Sequence, residues 1–198
     1  MYMGDWPRLI NVVEKDLPAA LKIGNWFVAT YVCSWAAFAY LKMHRVEEAR
    51  RMIDQGGECL AEASTDSQLA TYLPIMRSSV RLQEGDITGA LRDAEAGRIS
   101  AEKNSYMLEL GAARRALGDT YAAAGDQELA HENFGASLDV LRSIQCQPEL
   151  AQSLLAYGRF SCKGDHEGGQ RLLDRALVLF EEIGAEGWVS ETKAALSG

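Results

Sequence analysis

The chain has 198 residues, 47% of them hydrophobic and 24% charged, which is the usage of a globular protein with enough apolar mass to bury a core. Its formal net charge of −8 argues against nucleic acid and anionic membrane surfaces as partners, since both are held mainly through Lys and Arg. The cysteines Cys33, Cys59, Cys146 and Cys162 form no CxxC pair and no framework spacing, so reduced thiols and a cytoplasmic protein are expected.

Ala, Leu, Glu, Arg and Gln fill long windows with apolar residues three and four apart, and strand-like alternation is absent, so an all-α chain is predicted. Gly4-Asp5 opens the first helix, and Pro7 suits its first turn. Leu9, Ile10, Val13 and Leu17 form its apolar stripe, and Pro18 marks a kink or a late start. Residues 5–24 read as the second helix of a pair that has lost its first. Part of the stripe should then be uncovered, and a homodimer through residues 5–22 is one expected partnership.

The next stretch, "NWFVATYVCSWAAFAYLK", is the most hydrophobic in the chain, with only Thr30 and Ser34 polar between Trp26 and Leu41. It falls short of the roughly twenty residues that a bilayer core requires. No basic segment precedes it and no cleavage site follows, so neither a span nor a secretory signal is expected. The expectation is a core helix enclosed by its neighbours, or an apolar groove in which Tyr31 and Phe38 face a ligand.

The dipeptide Gly-Asp then recurs at Gly85-Asp86, Gly125-Asp126 and Gly164-Asp165, 40 and 39 residues apart, and His44-Arg45 occupies the position midway between Gly4-Asp5 and Gly85-Asp86. Glycine can close one helix in the left-handed conformation while Asp caps the next, so each pair predicts a helix-turn-helix corner. Five residues beyond these corners stand Leu9, Ala49, Ala90, Ala130 and Gly169, mostly small residues that allow close helix approach. Gly168-Gly169 suggests loosened packing, Pro74 a kink or late start, and Pro148 a helix start.

Arg77 and Arg81 share one helix face, and Arg114 and Arg115 lie on a later helix. They could offer a basic cluster to an acidic peptide, or form a solvated face paired with Glu84, Asp86 and Glu109. Cys162, Asp165 and His166 lack the four spaced ligands of a structural zinc, and His44 and His131 have no metal-spaced partner, so no metal is expected. The chain has no GxSxG, no Walker A loop and no HExxH, so no cofactor and no enzymatic activity are expected. At the C-terminal end "EGWVSETKAALSG" reads as a closing helix, with Trp188, Val189, Thr192, Ala195 and Leu196 on one face.

The segment "ALGDTYAAAGDQELAHENFGASL" resembles a tetratricopeptide repeat, with Leu117, Gly118, Tyr121, Gly125, Ala130, Phe134 and Leu138 at the spacing of that family. The following unit keeps Tyr157, Phe160, Gly164, Leu173, Ala176 and Leu177; the unit from Trp26 keeps Ala36, Ala37, Tyr40, Ala49 and Ile53; the unit from Ser67 keeps Leu82, Gly85, Ala90 and Ala94. The resemblance implies a right-handed α-solenoid of antiparallel helix pairs in a single domain, residues 1–198. Its parts would be residues 5–24, four units at 26–64, 67–103, 105–145 and 148–184, and a closing helix at 186–197. Ala37, Ala49, Ala90, Gly118, Tyr121, Ala130 and Phe134 would be its packing residues. Repeats near forty residues are similar to the C-terminal arrays of bacterial multidomain regulators. The implied function is a non-enzymatic protein–protein interaction module in the regulatory part of a bacterial signalling protein, holding a protein or peptide in its concave groove. The alternative is a sensor that binds a small effector in that groove.

Overall fold

The computed structural model describes residues 4–63 and 68–198, and its described residues form ten helices and no strand. In chain order they are α1 (Trp6–Lys22), α2 (Trp26–Lys42), α3 (Val46–Ala63), α4 (Gln68–Gln83), α5 (Ile87–Asn104), α6 (Met107–Ala124), α7 (Gln127–Ser143), α8 (Gln147–Ser161), α9 (His166–Glu182) and α10 (Glu186–Leu196). The chain is all-α, as its composition demands, while the expected unit edges at 64 and 67 lie outside the described residues. Pro18 and Pro74 lie inside α1 and α4 rather than at helix starts. Contacts group Trp6–Ser100 into one compact unit, and Ala101–Gly198 with Gly4 and Asp5 into another.

One recurrent corner ends most helices. The N–H groups of Asn25, Arg45, Asp86, Tyr106, Asp126, Cys146 and Ala185 each donate to the carbonyl five residues back, at 2.8 to 3.1 Å. This bond closes only if the residue before the donor is left-handed. Gly24, His44, Gly85, Ser105, Gly125, Gln145 and Gly184 fill that position, with φ from +54° to +84°. Glycine adopts it freely. In His44, Ser105 and Gln145 it costs roughly 1 to 2 kcal/mol, offset by the carbonyls that the corner satisfies. The corner at Gly164-Asp165 departs from expectation: α8 ends through a right-handed Cys162, and Gly164 has no positive φ.

The aspartates act as the pattern requires. Asp86, Asp126 and Asp165 accept through Oδ1 from the N–H groups of Gly89 (2.9 Å), Leu129 (3.1 Å) and Gly168 (2.9 Å). Each satisfies one donor of the helix it opens. Asn25 does the same for Val28 at the start of α2 (3.2 Å).

Across several corners the helices meet by setting glycine against a bulky side chain. A Cβ on Gly118 would lie 2.7 Å from the Phe134 ring, and one on Gly111 would lie 2.5 Å from Leu141. Gly118 and Phe134 are equidistant from Asp126, as are Gly111 and Leu141, so α6 and α7 run antiparallel. The same logic joins α8 to α9, where a Cβ on Gly158 would sit 2.8 Å from Leu173. In the other unit a Cβ on Gly56 of α3 would meet Cys33 Cβ of α2 at 3.2 Å. Ala37, Ala49, Ala90 and Ala130 are fully buried. The expectation of loosened packing at Gly168-Gly169 is overturned. A Cβ on Gly169 would come within 2.5 Å of the Cys162 backbone nitrogen, so this glycine marks close approach.

The apolar stripe of α1 is less open than expected. Ile10, Val13 and Leu17 are buried, with Leu9 half-buried, and they pack with Ala29, Cys33, Ala36 and Ala39 of α2. At the other end, α10 packs on α9 by stacking Trp188 on Phe180, ring centroids 5.3 Å apart. Phe134, Tyr157 and Phe160 stack between α7 and α8, beside the partly buried Tyr121 of α6.

Replacing Gly118 by Ala forces a methyl into the Phe134 ring and is expected to cost about 1 to 3 kcal/mol in chemical denaturation. Gly135→Ala, in the middle of α7 with nothing within 4 Å of the new Cβ, is expected to stabilise by about 0.4 to 1 kcal/mol. Burial, with help from the neighbouring Cys59, pushes the Cys33 thiol from 9.0 up to about 12. Between those two values the unfolded chain gives up a proton that the folded chain keeps. Stability should therefore fall as pH rises from about 9 to 12, and Cys33→Ala should flatten that slope when denaturation midpoints are compared.

Candidate functional site

Helix α2 carries its small side chains inward and several of its large ones outward. Ala29, Cys33, Ala36, Ala37 and Ala39 are buried where α1, α3 and α4 approach. The polar pair in this run is absorbed by the helix itself, with Thr30 Oγ1 donating to the Trp26 carbonyl (2.9 Å) and Ser34 Oγ to the Thr30 carbonyl (2.9 Å). On the remaining face Phe27 is 54% and Tyr31 45% exposed, and Val28 and the preceding Ile23 are exposed beside them.

Of the two aromatic residues singled out in the sequence, Tyr31 is open, whereas Phe38 is enclosed. Tyr31 meets the edge of Trp35 at 5.5 Å, and Trp35 lies 6.3 Å from Tyr72 of α4. Phe38 is half-buried under Trp6 of α1 (5.4 Å), with Lys42 Nζ 5.8 Å from its ring centroid. Phe27, Val28 and Ile23 were not picked out from the sequence. Phe27 is one turn before Tyr31, so its place on the same face could have been read from spacing, but its exposure could not. Ile23, Gly24, Asn25, Trp26, Phe27 and Ala63 line an open groove of about 470 Å³ at the α1–α2 corner.

The arginines are committed to partners within their own units. Arg77 grips the buried Asp93 of α5 through both ends of the carboxylate, at 2.9 and 3.2 Å, and Arg81 reaches the same group at 3.1 Å. Arg81 also lies 3.9 Å from Asp86, one of the expected acidic partners, while Glu84 pairs with Arg50. Arg114 donates to Asn133 (3.1 Å) and Glu102 (3.4 Å).

Arg115 is the most embedded of the four. It donates to Glu149 Oε2 at 2.8 Å and to Ser153 Oγ at 3.1 Å, and the Arg115 and Glu149 side chains are only 17% and 13% exposed. Ser137 Oγ spends its proton on the Gly111 carbonyl (2.7 Å), so the 2.9 Å contact between Ser137 and Ser153 is donated by Ser153. A directed chain thus runs from Arg115 through Ser153 and Ser137 back to Gly111, tying α6, α8 and α7 together. A basic cluster open to an acidic peptide is not what these residues build.

The remaining polar candidates serve the fold. Asp165 caps α9, and Cys162 Sγ lies 3.9 Å from the His166 carbonyl. His131 hydrogen-bonds Tyr157 at 3.0 Å and sets its ring against Phe160. Among the described residues no group of three or more His, Cys, Asp or Glu is placed to hold a metal ion, and no helix is long and apolar enough to cross a membrane.

No family model matches the chain, and no curated protein matches it. Its fold is similar to that in the crystal structure of BtubC (BKLC) from P. vanneervenii, at 13% identity and a TM-score of 0.64, covering 98% of this chain and 93% of that one. The likeness is one of fold, and it extends over nearly the whole length of both chains.

The clasp around Glu149 generates a quantitative expectation. Arg115→Met leaves a largely buried carboxylate without its cation and should cost about 3 to 5 kcal/mol in denaturant unfolding. Arg171→Met, at an exposed pair with Glu167, should leave the midpoint unchanged. Equal effects would show that the clasp is not a structural element.

Proposed function

We propose that this chain is a non-enzymatic interaction module that binds a protein or peptide. The observation that carries the proposal is the outward face of α2, where Phe27, Val28 and Tyr31 stand exposed with Ile23 beside them. A contiguous apolar patch of this kind costs solubility unless a partner covers it. Aromatic side chains supply much of the energy at the centres of protein interfaces. The arginines, held in internal ion pairs, leave apolar contact as the main means of recognition.

In this reading the helix pairs are tetratricopeptide units coiled into a right-handed superhelix, with α2 on the concave side. The closed Phe38 moves the binding face toward the N-terminal end of α2, onto Phe27 and Tyr31. The stripe on α1, with Ile10, Val13 and Leu17 covered by α2, gives little support to a homodimer through residues 5–22. The sequence style favours a regulatory role in a cytoplasmic bacterial signalling protein. The effector-sensor alternative calls for an enclosed pocket, and the groove at the α1–α2 corner is open.

The test compares the chain with a Phe27→Ser, Tyr31→Ser variant. Both sites are surface positions, so helical circular dichroism and the denaturation midpoint should stay the same. Partner proteins crosslinked to the parent chain in its native cell extract should be lost from the variant. Retention of every partner by the variant would overturn the assignment to this face. Saturable thermal stabilisation by a metabolite, worth about 2.7 kcal/mol at a hundred-fold excess over Kd, would favour the sensor instead.

A further inference from the structure

We draw no further inference here: the strongest candidate, the exposed apolar patch of Ile23, Phe27, Val28 and Tyr31 at the α1–α2 corner, belongs to the face already proposed to dock a partner, and nothing in the structure shows what covers it.

Discussion

Helices joined by a short corner can lie alongside one another only as closely as their facing side chains permit. In this chain the limit is set by glycine and alanine placed opposite Phe, Leu or Ile. Gly118 receives the Phe134 ring, Gly111 receives Leu141 and Gly158 receives Leu173, while Ala49, Ala90 and Ala130 are buried completely on second helices. The bulky partner fills the space that a Cβ would occupy, so dispersion contacts are dense where the two backbones come closest. Other features depend on that approach, including the reach of Arg115 from α6 to Glu149 on α8 and of Arg77 from α4 to Asp93 on α5.

The corners make the approach repeatable. A left-handed residue, followed by an N–H that bonds five residues back, reverses the chain in a few residues and satisfies carbonyls that the helix end leaves open. Asp86, Asp126 and Asp165 then cap the donors of the next helix. Because the turn is short and its geometry fixed, residues equidistant from it face each other. That is why Gly118 finds Phe134 on the neighbouring helix.

Electrostatics here holds the structure together more than it advertises for a ligand. Asp93 draws Arg77 and Arg81 inward, and Glu149 draws Arg115. Buried carboxylates of this kind need their cations nearby, since an unpaired buried charge is costly. With these guanidinium groups engaged, the exposed large apolar side chains of the Trp6–Ser100 unit gather mainly at the start of α2, as Ile23, Phe27, Val28 and Tyr31. The same helix that looks uniformly hydrophobic in sequence is therefore divided: small residues serve the close approach, and Phe27, Val28 and Tyr31 are turned outward.

Helical content and the corner at Gly125-Asp126 were legible in the sequence alone, because helix propensity, the left-handed freedom of glycine and the capping power of Asp are local properties. The corners at Ser105 and Gln145 were not. Nothing in residue type makes Ser or Gln adopt positive φ, and its cost is offset only by the carbonyls that the corner bonds satisfy. Nor could residue type distinguish a glycine of loose packing from one of tight packing, as Gly169 shows by lying against the Cys162 backbone. The partners of the arginines lie as far as 38 residues away in the chain, at a separation where sequence offers no rule. Sequence by itself determined that this protein is built of helices and where several of them turn. Which faces of those helices are buried, and hence which aromatic residues remain for a partner, was decided by the tertiary structure, because burial depends on what the neighbouring helices place opposite each side chain.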